Sequence, residues 1–545
     1  MEPLDCVVIG YNEGDFQEYR AICEGSGAWS PTQQIYSKEY LEVDGRHYSF
    51  MDGLSVLRNR ATGRDDRYHV GEVHNLAGIY LSNFLHKAGF TAEAVSLFSA
   101  ELERLTDLLG RGPAVVAVTT TFYVNIMPVL PVIDFVREHA PDAHIVVGGP
   151  LVDNLCLDGL DGQAQDMMDA MGADSYIVES QGEAALVELV AAVKQGRSVD
   201  GLANVITLRG EKWLSGPRTP EANSVDHASI NWSAFSPELI GRTAQTRTAR
   251  SCAFKCSFCD YPQRAGALTT SSVDTVRHEL RQMAELGVKN LVFVDDTFNV
   301  PPKRFKEICR MLIEEDLGLN WYSYFRCSNA RDQETFDLAA ESGCRGVFLG
   351  IESGDQDILA AMNKLAQDAQ YRNGIAELKK RGITTFASII VGFPGENETT
   401  VQNTIDFLNE TGPTFWRAQA WWGNPKAPVY QRKEIHGIKG EAYNWSHRTM
   451  DSAEAARWCD VMFDKVTEST WLPLYDFDFW ALPYLDGMGM KVDELLPILR
   501  ISQEIMRERG RAVPDAVRLA ALNDSLYKTV AAVGMAPSRF AFGSR

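Results

Sequence analysis

The chain has 545 residues, which is too long for a single ordinary hydrophobic core. This length predicts about two to four domains. Its 53 Lys and Arg stand against 73 Asp and Glu, and the net charge of −20 argues against binding nucleic-acid phosphates over a broad surface. We find no run of about 18 apolar residues and no secretory signal at the N-terminus, so we expect a cytoplasmic protein without a membrane partner.

Short β-branched runs alternate with helical stretches from about residue 5 to residue 210. These runs are CVVIG at 6–10, AVVAVTTTF at 114–122, HIVVGGP at 144–150 and DSYIVES at 174–180. Apolar strands between amphipathic helices predict a parallel sheet covered on both faces, which is a doubly wound, Rossmann-like domain.

Ligands of such sheets bind at the carboxyl ends of the strands. The residues there are mostly small or hydroxylic, and they either let a bulky ligand approach the backbone or simply form tight turns. The candidate ligand-binding residues are Thr119, Thr120, Thr121, Gly148, Gly149, Ser180, Gly182 and Glu183.

A polar, proline-bearing stretch at 216–242 predicts a linker between residues 1–215 and a second series of strands and helices. The predicted strands of this series are 243–248, 290–296, 321–327, 346–353, 384–394 and 415–422. Six strand–helix units over 243–425 predict a partial (β/α)6 barrel, whose chemistry should lie at the strand carboxyl ends. We expect residues 426–545 to form a helical, aromatic-rich extension.

Three of the ten cysteines are crowded just after the first barrel strand. Cys252, Cys256 and Cys259 form the pattern C-x3-C-x2-C. Three thiolates at this spacing can bind three irons of a four-iron cluster and leave the fourth iron open to a ligand. A closed zinc site would need a fourth nearby ligand, and the next histidine, His278, falls in a predicted helix. The pattern therefore favours a cluster over zinc or inert thiols.

This motif, with Phe258 before the last cysteine, resembles the radical S-adenosylmethionine enzymes. The stretches VDDTF, GIESG and VGFPGE end three barrel strands where that family contacts its cofactor. The resemblance implies a [4Fe-4S] cluster, S-adenosylmethionine and an electron donor such as flavodoxin or ferredoxin. The family's usual G-G-E is replaced by Asp295-Asp296-Thr297, which leaves the ligand of the methionine amino group open. The implied cofactor-binding residues are Phe258, Asp295, Asp296, Thr297, Glu352, Ser353 and Gly392.

The first domain looks like the cobalamin-binding domain that precedes many of these enzymes. Many such domains carry D-x-H-x-x-G, whose histidine binds cobalt from below, but this chain has only EVHNLAG at 72–78. We therefore expect cobalamin without a protein histidine on its lower face and a structural role for His74. A weak lower ligand favours cobalt(I), which can accept a methyl group from S-adenosylmethionine.

Further similarity, in YNWSHRTMDSAEA and in the aromatic tail from Trp471, extends to one subgroup of cobalamin-dependent radical methyltransferases. It contains the phosphinothricin-pathway P-methyltransferase and the thiostrepton-pathway tryptophan 2-C-methyltransferase, and it implies antibiotic biosynthesis. The first of these implies P-methylation of a small hydrogen-phosphinate. It also implies two uses of S-adenosylmethionine, one methylating the cobalamin and one yielding the radical that removes hydrogen from phosphorus.

A partly buried phosphinate needs cationic groups to offset its desolvation. Arg326 and Arg417, near the ends of barrel strands, are the candidate catalytic residues, with Lys364 as a further possibility. An indole acceptor would instead need an apolar slot, for which Trp321, Tyr322, Trp421 and Trp422 are available. The same two cofactors could also serve a radical cyclase that transfers no methyl group, or a sensory module without turnover.

Overall fold

The computed structural model describes residues 3–27, 29–157, 159–210, 212–475 and 477–542. The strands, in chain order, are β1 Cys6–Tyr11, β2 Tyr40–Val43, β3 Arg46–Ser49, β4 Ala92–Leu97, β5 Val115–Thr119, β6 His144–Gly148, β7 Ser175–Ile177, β8 Val205–Arg209, β9 Lys212–Ser215, β10 Thr243–Thr246, β11 Ala249–Arg250, β12 Thr269–Thr270, β13 Asn290–Phe293, β14 Asn320–Tyr324, β15 Cys344–Glu352, β16 Thr384–Val391, β17 Phe415–Ala420, β18 Lys439–Glu441, β19 Asn444–Ser446 and β20 Thr470–Trp471.

The α-helices are α1 Phe16–Gly25, α2 Pro31–Tyr36, α3 Phe50–Thr62, α4 Leu76–Lys87, α5 Leu102–Leu109, α6 Leu130–His139, α7 Pro150–Leu155, α8 Gly162–Met171, α9 Glu183–Lys194, α10 Pro237–Ile240, α11 Tyr261–Ala265, α12 Val273–Glu285, α13 Pro302–Glu315, α14 Gln333–Glu341, α15 Gln356–Ala361, α16 Asp368–Lys380, α17 Glu398–Thr411, α18 Lys433–His436, α19 Ser452–Lys465, α20 Ala481–Met488, α21 Val492–Arg509 and α22 Ala516–Ala532. None of the described helices combines the length and the apolar composition needed to cross a lipid bilayer.

Backbone packing divides the described residues into two compact units. The first unit contains residues 3–15, 71–241 and 540–542, and the second contains 16–70 and 242–539. Residues 16–70, which the sequence analysis placed in the first domain, pack within the second unit because α3 lies against α22 and α2 lies against α19. Both contacts join segments more than 400 residues apart, so no local pattern announces them.

The sheet of the first unit has the strand order β4-β1-β5-β6-β7-β8-β9. The first five strands are parallel, and β8 and β9 add an antiparallel pair at the end. Along β1, Val7 and Ile9 belong to one hydrophobic cluster, and Cys6 and Val8 belong to the other. Since successive side chains point to opposite faces, both faces are buried, as expected for a doubly wound domain.

The sheet of the second unit has seven parallel strands in the order β10-β13-β14-β15-β16-β17-β20. The ring contacts of Tyr324, Phe348 and Phe386 place these side chains on one face of the sheet. Phe479 packs on the same face from the C-terminal part of the chain.

The predicted α/β fold class is confirmed, with differences in detail. The segment predicted to be helical after residue 426 contains the antiparallel pair β18–β19 and also β20, in which Thr470 and Trp471 pair in parallel with Phe415 and Trp416. A strand of two residues is too short to show an alternating pattern. The sequence analysis also missed β4, a partly polar strand that pairs with β1.

Candidate active site at the cysteine loop

The three clustered cysteines lie on residues 251–260, which we call the cysteine loop. This loop follows β11, which pairs with β12 on its far side. Ser251 begins the loop with a φ of 70°, and its hydroxyl donates to the carbonyl of Gly266 at 2.6 Å. Cys256 is buried, and Cys252 and Cys259 are half-buried free thiols. The fold thus holds all three thiols in one short turn.

A second turn, after α15, fastens the middle of the cysteine loop. The backbone N–H of Ser257 donates to Met362 O at 2.8 Å, and the Ser257 hydroxyl donates to Ala361 O at 2.9 Å. In return, the Asn363 side-chain amide donates to Lys255 O at 2.6 Å. These bonds hold the backbone around Cys256 in one position.

The end of β13 supplies Asp295, which holds the chain just before the cysteine loop. Its buried carboxylate accepts hydrogen bonds from the N–H and hydroxyl of Thr248, both at 2.6 Å, and from the N–H of Ala249 at 2.9 Å. Burial raises the pKa of Asp295, while these donors act in the opposite direction. With both oxygens engaged, Asp295 positions the loop and is a poor choice for the amino-group ligand.

The neighbouring Asp296 is the carboxylate of this strand end that remains accessible. Although its side chain reaches solvent, desolvation by the surrounding protein, followed by the charge of Asp295, raises its pKa to about 6. The Thr297 hydroxyl donates to Asp296 O at 2.7 Å and lies 3.8 Å from Cys252 Sγ. Asp296 and Thr297 are therefore the members of the predicted DDT triplet that border the thiols.

A buried ion pair lies at the end of β15. Lys364 Nζ donates to Glu352 Oε1 at 2.8 Å, and the two side chains are only 8% and 10% exposed. The ammonium also lies 5.4 Å from the ring centroid of Phe258, in the cysteine loop. Gly350 leaves room for this pair, since a Cβ there would lie 2.5 Å from Glu352 Oε1.

The other predicted residue of this strand end, Ser353, has structural partners. It is fully buried, lies 3.3 Å from the Thr404 hydroxyl and accepts a hydrogen bond from the N–H of Asp355 at 3.1 Å. Its oxygen therefore stabilises the turn between β15 and α15.

The two predicted catalytic arginines have different surroundings. Arg326 follows β14 and stacks on Phe254 of the cysteine loop, with its guanidinium carbon 3.6 Å from the ring centroid. Arg417, on β17, forms a buried ion pair in which Nη2 donates to Glu39 Oε1 at 2.9 Å. The Nε and Nη1 atoms of Arg417 are also buried and have no hydrogen-bond partner within the part of the chain that the structure describes.

Strand register places Arg417 opposite Ser388. Ser388 is two residues after Phe386 and so faces the same side of the sheet, which puts Arg417 on the aromatic face as well. A second acid, Asp478, is near Arg417, whose charge lowers the pKa of that carboxyl, but the larger effect of burial raises it to about 6. The aromatic face thus ends in one guanidinium, the buried carboxyl group of Glu39 and the half-buried carboxyl group of Asp478.

Gly392, at the end of β16, is enclosed by protein groups. Its φ is 90°, and a Cβ would lie 2.5 Å from the Trp445 ring. The N–H of Gly392 donates to the Glu396 carboxyl, and its carbonyl accepts from His447 Nε2 at 2.9 Å. The pKa of His447 is lowered mainly by burial. Protein partners therefore already use the backbone polar groups of Gly392.

We expect Glu396 to make the second unit less stable as pH rises. The side chain is 1% exposed, and burial raises its pKa to about 8 despite the donors at Gly392 and Phe393. Because the pKa is higher in the folded state, the stabilisation is complete at low pH and is lost as pH rises through about 8. The free energy of unfolding should fall by about 1 kcal/mol per pH unit between the ordinary carboxyl pKa of 4.5 and the folded-state pKa of about 8.

Urea denaturation of the wild type and Glu396→Gln, from about pH 5 to pH 9, checks this expectation. The glutamine keeps an acceptor for the Gly392 N–H and cannot ionise, so its pH profile should lack this slope. Parallel profiles for the two proteins would contradict the prediction.

In the first unit, several of the predicted ligand-binding residues bond to neighbouring strands. The hydroxyl of Thr119 donates to Gly10 O, and that of Thr120 donates to Gly148 O at 2.9 Å. Gly149 has a φ of 109°, and a Cβ there would lie 2.9 Å from Thr120 Oγ1. These residues shape the carboxyl edge of the sheet by holding its strand ends together.

The remaining predicted residues lie on the loops of the same edge. Thr121 is half-buried after β5, Ser180 is exposed and donates to Glu179, and Gly182, with a φ of 73°, precedes α9. Glu183 is buried and accepts from the Asn223 amide at 3.1 Å. Their role in binding cobalamin stays a prediction.

His74 is fully buried in the first unit. Its ring lies 5.2 Å from that of Trp232. This packing agrees with the structural role expected for His74.

The cysteine loop fits a cluster held by one thiolate per iron. Among the described residues, no three His, Cys, Asp or Glu side chains surround a single metal-ion position, and a four-iron cluster held in this way does not require such a group. Burial, and then the nearby Cys256 thiol, raises the pKa of Cys259 to about 11. A bound cation is what makes such a thiol available as a thiolate.

Four residues of this region were absent from the predictions. Phe254 had a visible signal, since an aromatic residue stands between each pair of cysteines in the motif. No sequence pattern marks Glu39, Asn299 or Asp478, because the partner of each is distant in sequence. Glu39 and Asp478 interact with Arg417, and Asn299 bonds to Arg326.

Comparison with known proteins identifies part of the second unit. Residues 246–408 match the family model of the Radical SAM superfamily. An uncharacterized methyltransferase of Pyrococcus horikoshii is 30% identical over 241 residues, covering 43% of this chain and 52% of that protein. The anaerobic magnesium-protoporphyrin IX monomethyl ester cyclase of Rubrivivax gelatinosus is 26% identical, covering 67% of this chain and 68% of the cyclase. The chain thus spans about half of the first relative's length.

Two solved structures resemble the fold over most of the chain. The radical S-adenosylmethionine methyltransferase TsrM of Kitasatospora setae has a TM-score of 0.53 at 19% identity, covering 71% of this chain and 79% of TsrM. The cobalamin-dependent S-adenosylmethionine radical enzyme OxsB has a TM-score of 0.60 at 13% identity, covering 96% of this chain and 75% of OxsB. Residues 246–408 are therefore similar to radical SAM domains, and the fold of the chain is similar to the folds of the radical S-adenosylmethionine enzymes TsrM and OxsB.

Proposed function

We propose that the protein is a cobalamin-dependent radical S-adenosylmethionine methyltransferase of natural-product biosynthesis. The observation that carries this proposal is the cysteine loop, whose three thiols lie within residues 246–408 and are held by bonds from the end of β13 and from the turn after α15. TsrM, solved with cobalamin and a [4Fe-4S] cluster, and OxsB, solved with aqua-cobalamin, support the choice of cofactors.

The protein's own residues have distinct roles in this proposal. Cys252, Cys256 and Cys259 hold the cluster, and Asp296 with Thr297 faces the amino group of S-adenosylmethionine. The carboxyl edge of the first sheet, from Thr119 to Glu183, binds cobalamin. When bound, the cluster would supply one-electron cleavage of S-adenosylmethionine, and the cobalamin would supply a methyl group for transfer. The electron would come from a flavodoxin- or ferredoxin-like donor.

For the acceptor we infer a small hydrogen-phosphinate, similar to N-acetyl-demethylphosphinothricin. The net change replaces a P–H bond by a P–CH3 bond. Arg417 supports an anionic acceptor because Nε and Nη1, the nitrogens that do not contact Glu39, are buried on the aromatic face with no hydrogen-bond partner among the described residues. Each of these two nitrogens can donate one charge-assisted hydrogen bond to a phosphinate oxygen.

Two further reactions have specific support. TsrM has been solved with tryptophan as its substrate, and the rings of Tyr324, Phe348 and Trp480 form an aromatic surface that an indole could contact. The similarity to the magnesium-protoporphyrin ester cyclase supports a ring-forming reaction with no methyl transfer.

Anaerobic turnover with methyl-labelled S-adenosylmethionine tests the proposal and separates it from these two reactions. The reconstituted enzyme is incubated with a hydrogen-phosphinate or with tryptophan, and the products are analysed by mass spectrometry. We expect a labelled methyl group on phosphorus together with 5′-deoxyadenosine. Label on the indole alone would assign the tryptophan reaction, and 5′-deoxyadenosine without labelled product would exclude methyl transfer to both acceptors.

A further inference from the structure

Arg326 is held rigidly at the end of β14. Its backbone N–H donates to Asn299 Oδ1 at 2.9 Å, and the Asn299 amide donates back to Arg326 O at 2.9 Å. Asn299 is 1% exposed and Arg326 is 7% exposed. This reciprocal pair fixes the point from which the arginine side chain extends.

The guanidinium of Arg326 is tied to the cysteine loop. It lies 3.6 Å from the centroid of Phe254, which stands between Cys252 and Cys256. Its Nε donates to the Ser328 hydroxyl at 3.0 Å, whereas Nη2 is buried and has no hydrogen-bond partner among the residues that the structure describes. A buried donor in this state costs free energy, which a ligand that accepts the hydrogen bond would recover.

The charges around the loop leave Arg326 unbalanced. The other cation, Lys364, is neutralised by Glu352 at 2.8 Å. Burial lowers the pKa of the Lys364 ammonium, but Glu352 and other nearby groups raise it overall. Arg326 is close enough to act on the same ammonium in the lowering direction. Among the described residues, no carboxylate lies within ion-pair distance of Arg326. Of these two cations, Arg326 is therefore the one without a carboxylate partner, and its guanidinium favours an anionic ligand.

We propose that Arg326 binds the carboxylate of S-adenosylmethionine, rather than the acceptor as its position in the sequence indicated. The inference rests on the function proposed above. The stack on Phe254 ties the free donor to the loop that would hold the cluster, and β14 is separated from β17, the strand of Arg417, by β15 and β16. In this proposal Arg326 binds the cofactor carboxylate, and Arg417 binds the methyl acceptor.

Binding measurements with a truncated ligand test this assignment. Dissociation constants for S-adenosylmethionine and for its decarboxylated form are measured by equilibrium dialysis on the reconstituted wild type and Arg326→Met. The variant should lose about 10- to 100-fold in affinity for S-adenosylmethionine, the range for a charge-assisted hydrogen bond, and much less for the decarboxylated ligand. Equal losses for the two ligands would overturn the assignment.

Three further variants keep the test decisive. Arg326→Lys keeps the charge without the planar fork and should lose less, while Phe254→Leu removes the stacking ring and should weaken only the carboxylate-bearing ligand. The matched control is Arg372→Met. Arg372, on α16, lies 5.0 Å from the ring centroid of Phe407, on α17, so its removal should change the dissociation constant of neither ligand.

The same proteins distinguish the acceptor as the source of the anion. Dialysis with a hydrogen-phosphinate should give equal affinities for the wild type and Arg326→Met. A loss confined to the phosphinate would overturn the inference and return Arg326 to the acceptor. A wild-type protein that binds iron but neither form of S-adenosylmethionine would instead contradict the proposed function.

Discussion

Replacing Cys256 by alanine should leave a protein that purifies with little iron and neither cleaves S-adenosylmethionine nor transfers its methyl group. Cys256 is the buried member of the three thiols, and the bonds of Ser257 fix the backbone beside it. A cluster held by two thiolates lacks one of its protein ligands, so we expect it to be lost on purification. Iron and sulfide analysis after anaerobic reconstitution, with assay of 5′-deoxyadenosine, measures the effect.

The matched control is Cys309→Ala, which removes an equally buried thiol from the interior of α13. This variant should keep the iron content and the cleavage activity of the wild type, because its thiol lies outside the cysteine loop. Near-normal iron in Cys256→Ala, or zinc in place of iron in the wild type, would contradict the cluster assignment.

Breaking the ion pair between Glu39 and Arg417 should strongly destabilise the second unit. The side chains are 1% and 5% exposed, so Arg417→Met leaves a buried carboxylate without its cation. Removing one partner of such a pair typically costs about 3–5 kcal/mol. Burial, the larger effect, raises the pKa of Glu39 and Arg417 lowers it, so the cost of removing Arg417 should grow as pH rises.

A double-mutant cycle followed by urea denaturation isolates this interaction. Glu39→Gln combined with Arg417→Met removes both charges and should recover much of the stability lost in either single variant. Arg281→Met breaks the ion pair with Glu315, in which the arginine is 54% exposed, and should cost less than about 1 kcal/mol. Additive losses for Glu39 and Arg417 would show that the pair contributes nothing as a unit.

The sequence was informative wherever chemistry depends on neighbouring residues. The spacing of Cys252, Cys256 and Cys259 defines a single loop in any fold, and the alternation of apolar strands with amphipathic helices identified both sheets. The strand ends near residues 295, 352 and 392 were also placed correctly, because strands with buried faces have recognisable limits.

The roles of individual side chains were harder to predict, because they depend on partners far along the chain. Asp295 resembled a ligand for the cofactor, yet Thr248 and Ala249 occupy its oxygens. Arg417 resembled a free cation until the fold brought Glu39 to it across 378 residues. Composition and periodicity carry no record of such pairings, and only the folded backbone reveals them.

The course of residues 16–70 has a consequence for how the protein is made. This segment, with α2 and α3, belongs to the second unit, but residues 71–241 are synthesised before the rest of that unit begins. At typical translation speeds of about 5–20 residues per second, the segment waits roughly 20 to 90 seconds until α19 and α22 have been synthesised. Meanwhile the apolar faces that will meet α19 and α22 are uncovered, so we expect the nascent chain to depend on a holding chaperone, and a gene fragment that starts at residue 242 to yield insoluble protein.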